Sequence, residues 1–325
     1  AYPTAMHLGV YMDHLEFMKA LDLLIKSFEK KAKEFAKIIK MGRTQLQDAV
    51  PMTLGQSFGA FANALKHEAK RVDTAAKELL TINMGATAIG TGITAEPGYA
   101  EACTKYIKEI TGWDIKLAKD LVEATHDTSS MVSYSSALKS LAIRLSKICN
   151  DLRLLSSGPR TGLSEINLPP KQPGSSIMPG KVNPVIPEVV NQICFKVIGN
   201  DTTIAFASEA AQLELNVMEP VLVESLVESA KWLTAGFDAL RVECVDGITA
   251  NADRCRKMVE NSIGIVTALK PYIGYANCTA VAKEALATGG SVYDLVLEKK
   301  LLTKKQLDLI LDPSHMIKPT KITLK

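Results

Sequence analysis

The sequence lacks a long apolar run and a strong charge of either sign. No segment approaches the ~20 apolar residues of a membrane-spanning helix, and none has the form of a secretory signal. The 325 residues have a formal net charge of +3, and Lys and Arg are spread among Asp and Glu instead of forming a basic patch. We therefore expect a soluble protein without membrane or nucleic-acid partners, located in the cytoplasm or in an organelle matrix.

Metal, disulfide and dinucleotide motifs are also lacking. The six Cys residues form no CxxC pair, and the five His residues do not have the short spacings of metal ligands. Several Cys residues lie in apolar helical patterns, which indicates reduced core thiols. The Gly-rich segment from Gly85 to Gly92 follows a helical pattern and not a strand, which argues against a dinucleotide site. The sequence therefore predicts no metal ligands.

Long helical periodicity is abundant. Apolar residues recur at spacings of three and four in five segments, and strand-like alternation is rare. The clearest seam runs from Met131 to Leu155. The others run from Met18 to Ile39, from Phe58 to Leu79, from about Glu188 to near Asn216, and from Leu222 to Cys244. This pattern predicts an all-α protein built on a bundle of five long helices.

Turn signals become frequent after Asp246 and divide the chain in two. We predict a central helical-bundle domain at residues 1–245 and a smaller helical C-terminal domain at residues 246–325, whose basic end from Lys318 to Lys325 forms a loosely ordered tail. The predicted fourth helix is apolar on more than one face, at Val189, Phe195, Val197 and Ile198. Such helices are usually buried between subunits as well as within one.

The stretch from Pro173 to Pro184, hereafter the Ser175 loop, has the densest chemistry. Its Pro and Gly residues prevent a helix or a central strand. It nevertheless carries four polar side chains suited to an anion, on Ser175, Ser176, Lys181 and Asn183. Asn followed by Pro is typical of a helix N-terminus, whose unpaired N–H groups favour negative charge. We predict a carboxylate ligand here; the alternative is a structural crossover whose serines only cap turns.

A second polar segment, from Gly42 to Pro51, lies between the first two predicted helices. It contains Thr44 and Gln45, and it is rich in side-chain hydrogen-bond donors. By itself it is typical of a polar turn in which Asp48 caps the backbone and Arg43 pairs with it.

Both segments resemble signatures of the aspartase/fumarase superfamily. The Ser175 loop matches every fixed position of the signature GSSxMPxKxNP, and GRTQLQDAVP is similar to the second signature. Other blocks, among them INMGATAIGTG, LNVMEP and NSIGIVTAL, resemble the aspartate ammonia-lyase branch most closely. The resemblance implies a homotetramer whose central helices form one bundle and whose active sites combine segments of three subunits.

The resemblance also implies roles for individual residues. Ser175 would be the base, acting as an alkoxide on a small dicarboxylate, L-aspartate, which loses ammonia to give fumarate through an aci-carboxylate intermediate. Thr44, Gln45, Ser176, Lys181 and Asn183 would bind the substrate carboxylates, and Glu188 would support the segment that carries Thr44 and Gln45. No organic cofactor is expected, and activation by a divalent cation stays an open alternative.

Two other functions stay open. Class II fumarases, which form fumarate from malate, typically have His where this chain has Gln45. Gln45 cannot serve as a general acid, whereas the ammonium of aspartate already carries its proton, so the difference favours ammonia elimination. The superfamily also supplies structural lens proteins. Its members have an additional N-terminal domain with a Ser/Thr-Asn-Asp segment that binds substrate; we expect this domain to precede Ala1, and this chain to lack it.

Overall fold

A computed structural model describes residues 1–317, 319, 320 and 322. The predicted tail from Lys318 to Lys325 therefore lies largely outside the described residues. Five long helices dominate: α1 (Tyr2–Glu34), α2 (Leu54–Ala76), α5 (Ser129–Leu155), α6 (Val185–Glu209) and α7 (Glu219–Glu243). The all-α prediction is confirmed, and no helix in the described part of the chain is long and apolar enough to cross a membrane.

Shorter elements connect and follow the long helices. The other helices are α3 (Tyr99–Thr111), α4 (Glu123–His126), α8 (Ala252–Glu260), α9 (Val266–Thr288), α10 (Val292–Glu298), α11 (Lys304–Ile310) and α12 (Pro313–Met316). Although α9 has 23 residues, it is interrupted by a kink at Gly274. The strands are β1 (Ile39–Thr44), β2 (Gln47–Thr53), β3 (Thr81–Ile82), β4 (Lys116–Leu117), β5 (Ile166–Asn167) and β6 (Thr249–Ala250). They pair in twos, with β1–β2 and β5–β6 antiparallel and β3–β4 parallel.

The chain forms two compact units. The first contains Ala1–Ser27, Phe61–Leu154 and Pro169–Gly247; the second contains Phe28–Ala60, Leu155–Leu168 and Ile248–Lys325. The second unit thus includes the C-terminal region together with two segments that the sequence division placed in the central domain. The physical reason is long-range pairing, because β1 packs on α8 and β5 pairs with β6 within this unit.

The first unit is built on the packed helices α6 and α7 and on the seam of α5. The seam predicted from Met131 to Leu155 is buried as expected, and Tyr134, Leu141 and Leu145 are fully inaccessible. Phe17 and Phe237 meet edge to face with their ring centroids 5.1 Å apart. Polar side chains also cross this core: Asn191 Nδ2 donates to Ser146 Oγ at 2.8 Å.

The second unit has its own apolar core beneath the β1–β2 hairpin. Ile39 and Met41 of β1 pack with α8 to α11, which contribute Val259, Leu269, Val281, Val296 and Leu307. Gly42 forms a bulge where the β1–β2 register shifts between Met41 and Arg43. A side chain at Gly42 would place Cβ 2.8 Å from the carbonyl oxygen of Val50, so the bulge requires glycine.

Three helices end earlier than the periodicity predicts, and the first begins at Tyr2, well before the predicted Met18. The first helix ends at Glu34, and Ile39 belongs to β1. The second ends at Ala76 and continues as a 3₁₀ turn. The fourth begins at Val185 and ends at Glu209, earlier at both ends than predicted. Pro187 is tolerated there because the first helical N–H groups have no intrahelical partner. In each case the apolar spacing of three and four continues past the residue at which the α-helical hydrogen bonding ends.

Candidate active site

The Ser175 loop is closed at its base by main-chain and side-chain contacts. Pro173 and Val182 form an isolated antiparallel bridge, and the N–H of Gly174 donates to the carbonyl oxygen of Lys181 at 2.8 Å. Asn183 Nδ2 donates to the carbonyl oxygen of Gly174 at 3.2 Å. A Cβ at Gly174 would lie 2.7 Å from that Lys181 oxygen, so only glycine allows this approach. Asn183 thus helps to hold the base of the loop closed.

Ser175 follows the closed base and is only partly exposed. Its Oγ accepts a hydrogen bond from the backbone N–H of Ile177 at 3.2 Å. A donor aimed at a hydroxyl oxygen favours the ionised form of that group. Ser176 and Lys181 are exposed, as are the apolar side chains of Ile177 and Met178. The loop therefore exposes Ser176, Lys181 and two apolar side chains to solvent, and Ser175 in part.

Helix α6 follows the loop directly. The predicted cap is displaced by one residue, because Pro184 occupies the N-cap and Val185 N–H donates to the carbonyl oxygen of Asn183 at 2.9 Å. Glu188 lies in the first turn, with Oε1 3.9 Å from Nε of Arg153. Its predicted support of the segment with Thr44 and Gln45 stays a prediction.

Thr44 and Gln45 lie at the tip of the β1–β2 hairpin, which the sequence predicted only as a polar turn. Thr44 pairs with Gln47, leaving a two-residue turn in which Gln45 has φ 53° and Leu46 has φ 62°. A two-residue hairpin turn with both φ values positive is usually built from Asn and Gly. Gln and Leu occupy this left-handed region at a cost, and such strain clusters at functional sites. Both side chains are exposed.

Behind this tip lies a buried charge cluster that the sequence analysis missed. Glu165 is completely inaccessible, with Oε1 2.5 Å from Arg43 Nη1 and Oε2 3.1 Å from Lys40 Nζ. The expected pairing of Arg43 with Asp48 is therefore wrong, since Asp48 instead accepts a 2.8 Å hydrogen bond from Ser262 Oγ. Lys40 within the apolar run Ile38 to Met41 was the available signal, because a lone buried charge needs a partner.

The predicted residues thus fall into two groups. Ser175, Ser176, Lys181 and Asn183 share one loop of the first unit, and Glu188 follows in the same unit. Thr44 and Gln45 share one turn of the second unit. Each group is locally ordered by its own contacts.

The described residues contain no group of three or more His, Cys, Asp or Glu side chains placed to hold a metal ion. The Cys side chains are free thiols, and five of the six are buried. Burial raises the pKa of the Cys194 and Cys244 thiols to about 12, which leaves them protonated and unreactive at neutral pH.

The bundle of long helices and the polar Ser175 loop that precedes α6 match a known family. The family model described as lyase matches residues 1–199, and the model described as fumarase C C-terminus matches residues 265–318. The chain belongs to this lyase family.

Particular relatives agree with this assignment. The chain is 56% identical to an aspartate ammonia-lyase of Pseudomonas aeruginosa, over 100% of this chain and 69% of the relative. It is 54% identical to an aspartate ammonia-lyase of Escherichia coli K12, over 98% of this chain and 67% of the relative. A crystal structure of "fumarate lyase:delta crystallin" from Brucella melitensis bound to cobalt superposes with TM-score 0.95 at 50% identity, covering 98% of this chain and 69% of that one. The crystal structure of a class II fumarase from Schistosoma mansoni superposes with a TM-score of 0.93 at 31% sequence identity, covering 98% of this chain and 70% of that one. The predicted resemblance to aspartate ammonia-lyases is confirmed.

Proposed function

We propose that this chain is an aspartate ammonia-lyase, which eliminates ammonia from L-aspartate to give fumarate. The observation that carries the proposal is the 56% identity over the whole chain with a relative of that name. The fumarase in the comparison is 31% identical, which favours ammonia elimination over the malate reaction.

The base in this proposal is Ser175. Its alkoxide takes the proton from the carbon next to the β-carboxylate, and the electron pair left on carbon delocalises into that carboxylate. The N–H of Ile177, which donates to Ser175 Oγ at 3.2 Å, supports the ionised oxygen. The positive charge of Lys181, in the same loop, adds to this support.

The substrate carboxylates bind to donors on both segments, which the proposed tetramer would supply from different subunits. Ser176, Lys181 and Asn183 contribute from the Ser175 loop, and Thr44 and Gln45 contribute from the hairpin tip. Loop side chains that lie open without substrate can tighten when it binds, so the exposure of Ser176 and Lys181 suits a loop that closes over its ligand. Glu188 supports the arrangement from the first turn of α6.

The leaving group departs without an acid catalyst. The electron pair of the aci-carboxylate forms the carbon–carbon double bond, the carbon–nitrogen bond breaks, and nitrogen leaves as neutral ammonia because it already carries its three protons. Ser175 then releases its proton to solvent. Gln45 can donate a hydrogen bond but cannot protonate a leaving group, which suits ammonia better than hydroxide. The proposed reaction requires no organic cofactor.

The proposal includes a homotetramer in the cytoplasm, with active sites shared between subunits. The exposed apolar side chains of α6 and α7 support the assembly: Phe195 is 60% exposed, Phe206 70% and Trp232 45%. Val189 is exposed as well, whereas Val197 is buried within the unit. Large apolar side chains exposed along one helix are typical of a subunit interface.

Light scattering should give four subunits, and Phe195→Glu should dissociate them. A monomeric wild-type protein would contradict the proposed tetramer.

The activity is tested by following fumarate absorbance with L-aspartate and with L-malate. We expect release from aspartate alone, and Ser175→Ala should lower kcat by roughly 10²–10⁴-fold, the usual contribution of a general base. The neighbouring Ser176→Ala is the matched control, and its effect should fall mainly on KM. Faster turnover of L-malate than of L-aspartate would instead identify the protein as a fumarase. Full activity of Ser175→Ala would exclude Ser175 as the base.

A further inference from the structure

Glu165 is the most completely enclosed carboxylate near the hairpin, and its main chain is held as firmly as its side chain. Its N–H donates to the carbonyl oxygen of Leu155 at 2.9 Å, and its carbonyl oxygen accepts from the N–H of Asn251 at 2.9 Å. Cys255 Sγ also lies 3.6 Å from that oxygen. Within the second unit, Glu165 is therefore a fixed point of the chain.

The bulge at Gly42 turns two cations of β1 toward this fixed point. Side chains of a regular strand alternate between faces, so residues three apart point to opposite sides. A bulge adds one residue and restores the same side. The register shift between Met41 and Arg43 has this effect, because Lys40 and Arg43 both reach the Glu165 carboxylate, at 3.1 Å and 2.5 Å.

The ion pairs of Glu165 with Arg43 and Lys40, here called the Glu165 clamp, lie at the base of the hairpin tip, whose backbone is strained. The residue after Arg43 is Thr44, and Gln45 and Leu46 follow in the left-handed region. Strained backbone of this kind persists only when its surroundings over-determine it. Two contacts hold the backbone at the base of this turn. The Glu165 clamp holds β1, and the 2.8 Å hydrogen bond from Ser262 Oγ to Asp48 holds β2.

Stability alone does not account for this cluster. A buried ion pair often contributes little net stability, since desolvation offsets the attraction of the charges. Arg43 is also oriented by further contacts, donating to the carbonyl oxygen of Met41 at 3.3 Å and approaching Met258 Sδ at 3.4 Å. An arginine fixed on several sides suits a role that depends on geometry.

We propose that Glu165 is a positioning residue for substrate binding: through Arg43 and Lys40 it holds the strained Gln45–Leu46 turn so that Thr44 and Gln45 meet the substrate carboxylate. This inference rests on the proposed function. Glu165 itself does not touch substrate.

The decisive variant is Glu165→Asp, which keeps the negative charge but shortens the side chain by one methylene. The matched control is Glu284→Asp in the same unit, where Glu284 pairs with Lys299 at 2.7 Å near the surface. Hydrogen exchange is measured on peptides covering residues 39–53, and kcat and KM are measured for L-aspartate. Glu165→Gln is a second variant, but it leaves two buried cations uncompensated and can fail to fold.

We expect Glu165→Asp to speed exchange across residues 39–53 and to lower kcat/KM by about 100-fold, the effect of a misplacement of roughly 1 Å. Glu284→Asp should change neither quantity. Unchanged exchange in Glu165→Asp, or faster exchange with wild-type kcat/KM, overturns the positioning role. If the wild-type chain releases no fumarate, the proposed function fails. Hydrogen exchange across residues 39–53 in Glu165→Asp then still tests whether Glu165 holds the hairpin.

Discussion

The Ser175 loop and the β1–β2 hairpin hold their polar side chains by different means. The loop is closed by main-chain contacts at Gly174 and Lys181, and beyond them its tip is open, with Ile177 84% exposed. The hairpin is anchored by a buried carboxylate between two cations, and its tip is strained. An open loop can follow a ligand as it binds, whereas a strained and anchored turn is positioned beforehand. The proposed base therefore lies on the open loop, and part of the proposed carboxylate site lies on the strained turn.

The largest effect is expected at the base of the loop. Gly174→Ala would bring Cβ to 2.7 Å from the Lys181 oxygen and 3.0 Å from Asn183 Oδ1, which forces the loop base apart. Kinetics with L-aspartate should show kcat/KM reduced about 100-fold. The control Gly180→Ala has φ 79° but open space around Cβ, so it should cost about 1 kcal/mol of stability and little activity. Equal kinetics for both variants would show that the loop base does not position Ser175.

A second buried glutamate, Glu219, makes the stability of the protein depend on pH. Glu165 lies between two cations, whereas burial raises the pKa of Glu219 to about 7 from an ordinary value of 4.5. The folded protein then keeps a proton that the unfolded chain loses, so stability falls as pH rises from about 4.5 to about 7 and is level above that range. The loss is at most about 3 kcal/mol.

Denaturant unfolding at several pH values measures this slope. Glu219→Gln should remove the stability loss between pH 4.5 and pH 7 and leave the rest of the profile unchanged. The wild-type slope persisting in Glu219→Gln would assign it to another group.

A smaller effect is expected at the hairpin bulge. Gly42→Ala places Cβ 2.8 Å from the backbone oxygen of Val50, so the strand must shift at a cost of about 1–3 kcal/mol in the free energy of unfolding. Gly59→Ala in α2 is the control, because its nearest neighbour would lie at 3.8 Å; it should stabilise by about 0.5–1 kcal/mol. Destabilisation by both variants alike would mean that the bulge has no special need for glycine.

The smallest effect concerns the strained tip. Leu46 is 69% exposed, so Leu46→Asn loses little apolar burial and places a residue that tolerates the left-handed region. The free energy of unfolding should rise by about 0.5–1 kcal/mol. The same change at Leu286, 76% exposed within helix α9, should instead destabilise slightly because Asn is the poorer helix former. A loss of stability in Leu46→Asn would show that the turn is not strained as its φ indicates.

The long helices and the loop between α5 and α6 can be predicted from local sequence patterns alone. The Met131 to Leu155 seam needs only neighbours on one helix face, and the Pro and Gly residues of the Ser175 loop exclude regular structure locally. The same local chemistry identified Ser175, Ser176, Lys181 and Asn183 as one cluster, and the described structure keeps them on one loop. The roles of these residues in the reaction stay predictions.

The structure of the polar segment around Thr44, by contrast, follows from contacts between residues far apart in the sequence. Its strand β1 packs against α8, and its Arg43 pairs with Glu165, which is 122 residues away in the sequence. An ion pair over that separation leaves no periodic or local trace, because charge partners are chosen by the folded geometry and not by spacing along the chain. For the same reason the sequence paired Arg43 with nearby Asp48, whereas the fold places Glu165 beside it.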